Sequence, residues 1–195
     1  MIRLDKITAG YGELVVLNRF SLTLPQKGVV AVMGPSGSGK STLFKVLASL
    51  LPIREGSIEG IKDKRISIVF QEDRLLPWRT AEENVSIPLS KEMPDRVERA
   101  REWLKKMELG DVLEEYPSSL SGGMQRRVAL ARAAAYGGDL LLCDEPFTGL
   151  DAPLRNRVAK ELLNAAPLIV VITHDEEDAK AMGAQEIVNL HPVGG

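Results

Sequence analysis

The chain has 195 residues, 44% of them hydrophobic, and a formal net charge of -2. That length and composition fit one globular domain with an ordinary buried core and room for a small insert. They exclude a global basic field for nucleic acid or an anionic membrane, and the single cysteine, Cys143, excludes an intrachain disulfide.

In chain order, Met1 to Lys6 lacks the layout of a signal peptide. Ile2, Leu4 and Ile7 precede a Gly10-Tyr11-Gly12 turn, and Leu22 and Leu24 alternate with polar residues, which predicts half-exposed antiparallel strands. Val29 to Met33 is the first of four short apolar runs; the others are Ile66 to Phe70, Leu140 to Cys143 and Leu168 to Thr173. Continuous rather than alternating apolarity predicts parallel strands covered on both faces. Helical spacing follows Lys40, at Leu43, Val46, Leu47 and Leu50, and recurs over Met124 to Ala135. From Glu72 to Pro117 no strand is predicted, and Asp95 to Met107 reads as an amphipathic helix with Val97, Ala100, Leu104 and Met107 on one stripe. No apolar stretch approaches the roughly 20 residues that span a bilayer. The chain therefore reads as soluble, reaching a membrane only through a partner. The expectation is an α/β protein forming a single domain, 1–195: a mostly parallel core over 1–71 and 118–195, an antiparallel N-terminal part, and an inserted helical subdomain over about 72–117.

Gly34-Pro35-Ser36-Gly37-Ser38-Gly39-Lys40-Ser41 fits G-x-x-x-x-G-K-[ST] between a predicted strand and a predicted helix, the context that spacing requires. Its glycines let the backbone curl so that N–H groups point at phosphate oxygens, and the following helix turns its positive end, with Thr42, toward the same anion. Lys40 adds charge near the β- and γ-phosphates, and the Ser41 hydroxyl can ligate a Mg²⁺ bridging them. Leu140 to Cys143 ends in Asp144 and Glu145. Because open α/β sheets bind ligands beyond the carboxyl ends of their strands, Asp144 is expected beside the phosphate loop, holding Mg²⁺ directly or through water. Glu145 is expected to orient and deprotonate an attacking water.

Leu120-Ser121-Gly122-Gly123-Met124-Gln125 resembles the signature of ABC-type ATPases. The resemblance covers most of the chain, in the order phosphate loop, Gln71, signature, Asp144-Glu145, Gly149-Leu150-Asp151 and His174. It implies a P-loop ATPase fold, with ATP and Mg²⁺ as ligands. It implies that Gln71 touches Mg²⁺ or the attacking water and senses a membrane partner, and that Asp151 organises contact between two copies. It implies that His174 contacts the γ-phosphate, that Tyr11 stacks on adenine, and that Val16 packs near the sugar. Nothing in one chain places Ser121, Gly122, Gly123 and Gln125 near Lys40. The resemblance implies that a second copy supplies them, in a head-to-tail dimer sharing two ATP sites. An imidazole at 174 can donate to phosphate without being charged.

The chain has no fused membrane segment and is too short for two ATPase units, and its insert is too small for the long coiled coil of DNA-maintenance members. What remains is a subunit docking on a separate integral membrane permease, cytoplasmic and peripheral on the inner face of the cell membrane. Val69 to Thr80, with Glu83-Asn84-Val85, is similar to the nitrate, sulfonate and taurine importer group, which implies import, a substrate-binding protein as a further partner, and no nucleic acid. The region between Gly56 and Ile66 looks short of that family's usual β-hairpin. Two alternatives remain open. One is a non-transport ABC ATPase working as a mechanical or regulatory module; the other is a small-molecule kinase, which leaves Ser121 to Gln125 unexplained.

Overall fold

The computed structural model describes residues 1–192; the last positions of the expected core range, 193–195, lie outside the described residues. Two sheets organise the chain. The first is antiparallel, ordered β2-β1-β4, from β1 (Ile2–Tyr11), β2 (Leu14–Leu24) and β4 (Glu55–Glu59). Here β1 runs through Tyr11, so the turn falls at Gly12 and Glu13, one step later than the sequence suggests. In the region that looks short of a β-hairpin, the single strand β4 pairs with β1 at the sheet's edge.

The second sheet is parallel throughout, ordered β5-β6-β7-β3-β8, from β3 (Gly28–Met33), β5 (Ile66–Val69), β6 (Leu140–Asp144), β7 (Leu168–Ile172) and β8 (Glu186–Asn189). The apolar runs of β3, β6 and β7 divide between two cores, as a pleat with alternating faces requires. Val29, Leu141, Cys143, Ile169 and Val171 face one core. Val30, Val32, Leu140, Leu142, Leu168, Val170 and Ile172 face the other. Strand β8 carried no readable apolar run, because three of its four residues, Glu186, Ile187 and Asn189, are exposed at the sheet edge.

Helix α1 (Lys40–Leu47) packs Leu43, Phe44, Val46 and Leu47 onto the second core. Helix α4 (Gly122–Tyr136) buries Val128, Leu130 and its alanines in the first. The stretch about 72–117 holds α2 (Ala81–Ser86) and α3 (Arg96–Lys106) and no strand. Helix α3 begins one residue later than the sequence suggests and buries Ala100, Trp103 and Leu104. Helix α2 was not foreseen, although Thr80 and Glu83 spell its start: each side chain accepts from the other's backbone N–H, a reciprocal cap. The chain closes through α5 (Ala152–Leu162) and α6 (Glu176–Ala181). Among the described residues, no helix is long and apolar enough to cross a membrane.

Candidate functional site

Strands β3, β5, β6 and β7 are parallel, so their carboxyl ends open on one side. A cavity of about 700 Å³ lies there. The glycine-rich loop follows β3 and forms its floor. Gly34 has φ 146°, and a Cβ on it would stand 2.4 Å from the Leu190 carbonyl oxygen, so the turn out of β3 admits no side chain. Gly39, at φ 95°, caps α1 without a side chain, leaving the helix's first N–H groups to the cavity. Lys40 Nζ donates to the carbonyls of Gly34 (2.7 Å) and Pro35 (3.0 Å), which folds its charge over the loop.

The cavity is also lined by Tyr11, Val16, Pro35, Ser36, Gly37, Ser41, Thr42, Gln71, Asp144, Glu145 and His174. Fifteen residues line it, and only Leu14 was not foreseen from the sequence. Ser38 is the one loop residue turned away: it is buried, and its Oγ has no partner. Tyr11 stands exposed at the rim, with the Lys45 ammonium 5.1 Å from its ring centre.

Asp144 and Glu145 differ in surroundings. Burial, reinforced by the neighbouring charge of Glu145, raises the Asp144 carboxyl above its ordinary value; Arg126 and Lys40 oppose the rise. A half-buried carboxylate in that position gains from a cation. Asp144 and the Ser41 hydroxyl, with an open side toward the loop, match the way Mg²⁺ is held: few protein oxygens, the rest from phosphates and water. Among the described residues no set of three or more His, Cys, Asp or Glu could hold a metal ion by itself.

Glu145 sits in the left-handed region at φ 48°, a conformation costing about 1–3 kcal/mol that only dense surroundings maintain. His174 Nδ1 donates to Glu145 Oε1 at 2.7 Å. This hydrogen bond, with the carboxylate's charge, raises the imidazole above its ordinary value. The imidazole, which can donate to phosphate without being charged, thus meets a carboxylate that favours its protonated form. On the other oxygen, Thr173 Oγ1 lies 3.2 Å from Glu145 Oε2 and 3.1 Å from Asp178 Oδ2. Arg155 pairs with Asp178 at 3.2 Å behind them.

The Ser121 segment lies elsewhere. Ser121, Gly122, Gly123, Gln125 and Asp151 do not line the cavity of their own chain. Ser121 caps α4, its Oγ accepting from Met124 N–H at 3.3 Å. It and Gly122 are exposed, while Gly123 packs near the Gly149 carbonyl. Gln125 Nε2 donates to the carbonyls of Pro117 (2.9 Å) and Leu120 (3.0 Å), so within the chain its amide secures the loop before the helix. Asp151 caps α5, accepting from Leu154 N–H at 2.8 Å.

Four supporting residues escaped the sequence reading: Arg126, Arg155, Thr173 and Asp178. Arg126 is 3% exposed and reaches the backbone of both loops that carry Gln71 and Glu145. No apolar pattern marks it, because it stands between Gln125 and Arg127 ahead of the apolar stretch of α4. Thr173 and Asp178 adjoin His174 in sequence but carry no spacing that marks them.

Comparison with known proteins agrees with this geometry. A family described as ABC transporter matches residues 17–148, more than half of the chain. The taurine import ATP-binding protein TauB of Escherichia coli O157:H7 is 39% identical over 209 aligned positions, covering 100% of this chain and 81% of that protein. The aliphatic sulfonates import ATP-binding protein SsuB 1 of Paracoccus denitrificans (strain Pd 1222) is 36% identical, covering 96% and 78%. Among solved structures, the ATP-binding cassette MJ0796, a dimer in a post-hydrolysis state bound to ADP and Pi, superposes with a TM-score of 0.87 at 33% identity, covering 97% of this chain and 94% of that one.

Proposed function

Since this chain belongs to the ABC transporter family and is an ATP-binding ATPase of that type, we propose that two copies close head to tail over two ATP molecules and drive import through a separate membrane permease. The observation that carries this reading is the division of parts. One cavity holds the glycine-rich loop, Gln71, Asp144, Glu145 and His174, while Ser121 and Gly122 lie exposed and Gly123 half-buried outside it. The start of α4 at Ser121 presents N–H groups suited to a phosphate away from its own cavity, so it can serve the cavity of a second chain.

In this mechanism the loop N–H groups of Gly34 to Ser41 and the start of α1 hold the phosphates. Lys40 leaves the Gly34 and Pro35 carbonyls to bind the β- and γ-phosphates, Tyr11 stacks on adenine, and Val16 packs against the ribose. Asp144, Ser41 and Gln71 would hold Mg²⁺, which would supply charge neutralisation at the transferred phosphoryl group. Glu145 orients the attacking water and accepts its proton. His174, adjoining Glu145, turns its imidazole to the γ-phosphate once nucleotide enters. Closure occurs because nucleotide binds the closed pair better than the open one. The permease docks near Gln71, where Trp78 is 67% exposed. A substrate-binding protein delivers the cargo, and the chain works cytoplasmically, on the inner face of the membrane. Relatives that import taurine and aliphatic sulfonates point to a small organic sulfonate as cargo. The chain's own segment Val69 to Thr80 supports the same group.

Glu145→Gln tests the core of this reading. Phosphate release should fall by about 100-fold or more, while ATP is retained and an ATP-dependent dimer accumulates in size-exclusion chromatography. Hydrolysis at the parent rate removes Glu145 as the base, and a chain that stays monomeric with ATP removes the shared site.

A further inference from the structure

Every N–H of the Arg126 guanidinium is engaged. Nε donates to the Pro146 carbonyl at 2.9 Å. NH1 donates to the Phe70 carbonyl at 2.6 Å, lies 3.3 Å from that of Gln71, and pairs with Asp73 Oδ1 at 3.1 Å. NH2 donates to the carbonyls of Asp144 (2.7 Å) and Glu145 (2.6 Å). One buried cation thus joins the loop after β5 to the loop after β6. It also holds the carbonyl of Glu145, the residue whose backbone sits at φ 48°. A planar fork with donors on two edges can bridge two loops; a lysine ammonium, a single point, cannot. On α4, Arg126 lies about 7.5 Å along the axis from Ser121, at 1.5 Å rise per residue.

We propose that Arg126 is a positioning residue that makes one unit of the Ser121-bearing helix and the loops carrying Gln71 and Glu145, so that capture of a partner's nucleotide by Ser121 to Gly123 sets the catalytic carboxylate in the chain's own cavity. This inference rests on the shared-site reading above and deepens it. The same helix holds the next stretch of the Gln71 loop, for Arg132 donates to the Asp73 and Arg74 carbonyls. Displacement of α4 therefore moves both loops together. Glu145 takes its direction from carbonyl contacts made by Arg126 as well as from Thr173 and His174 at its own carboxylate.

The test is a double-mutant cycle on the full chain with Ser121→Ala, Arg126→Lys and both, following kcat, KM for ATP and the thermal midpoint. Arg126→Lys should lower kcat by about 30- to 100-fold, with KM within about threefold of the parent, because a misaimed carboxylate costs rate rather than binding. The double variant should be no slower than the slower single one, since both changes cut the same link. Arg126→Gln, whose two N–H donors also sit on one nitrogen and which lacks the charge, should be no faster than Arg126→Lys. Arg126→Lys at the parent rate, or losses that multiply in the double variant, overturn the inference alone. Both Arg126 variants melting far below the parent assign the residue to the fold and overturn it as well. Ser121→Ala at the parent rate overturns the shared-site reading, and this inference with it.

Discussion

The glycine-rich loop and the Ser121 segment are both short polar stretches at the start of a helix, and they work on different principles. The loop is self-contained: its shape follows from glycines at Gly34 and Gly39 and from β3 and α1 on either side. The Ser121 segment has little shape of its own beyond one cap, and its neighbours Arg126, Arg127 and Arg132 tie it to distant carbonyls at Phe70, Glu145, Met107 and Asp73. A feature built from backbone conformation announces itself in adjacent residues. A feature built from long side chains reaching remote carbonyls is visible only once the chain has folded.

The largest test of this contrast is Ser121→Arg. The bulk and charge should block capture of a second nucleotide, lowering phosphate release by about 100-fold, while equilibrium binding of ATP by the single chain stays within about threefold of the parent. Loss of both together would mean that the segment serves its own cavity. Next is Gly34→Ala, where a Cβ would meet the Leu190 carbonyl at 2.4 Å. Destabilisation of about 3 kcal/mol is expected in urea unfolding, and no such change for Gly122→Ala beyond the ordinary helix-start preference, because a Cβ there meets nothing. Tyr11→Ala should weaken ATP binding by about 1 kcal/mol, roughly fivefold in Kd, with kcat unchanged. The smallest effect concerns His174. Its folded value is raised by Glu145 from 6.5. The pair therefore adds stability below the unfolded imidazole value, and that contribution fades as pH rises through the folded value. The side chain is 77% exposed, so solvent keeps the effect small. Urea midpoints of parent and His174→Ala should converge as pH rises above about 6.5; a gap that widens with pH would reverse the assignment.

The sequence made the parallel core readable because Val29 to Met33, Leu140 to Cys143 and Leu168 to Thr173 are apolar on both faces. Once those strands run parallel, the residues after them gather at one end without further information, which is why Gln71, Asp144, Glu145 and His174 were legible together. Strand β8 was not, since an edge strand with Glu186, Ile187 and Asn189 exposed has no hydrophobic signature. Thr173 and Asp178 were missed for another reason. Their part depends on Glu145, from a strand far away in sequence, turning its second oxygen toward them. Cys143 is wholly buried in the core, and that burial pushes its thiol up to about 12.

The order of strands sets a schedule for the ribosome. Strand β3, which ends at the glycine-rich loop, has as its neighbours β7 and β8, with Gly28 opposite Leu168 and Val30 opposite Glu186. Both neighbours are synthesised more than 130 residues after β3 begins, at Leu168 and Glu186 against Gly28. A nascent chain that has already released β1, β2, β3 and α1 therefore holds a central strand bare on both edges, with apolar Val29 to Met33 exposed. Pairing so distant in sequence is slow to form and open to aggregation meanwhile. The sheet that carries the glycine-rich loop is therefore complete only once β7 and β8 have reached the two edges of β3.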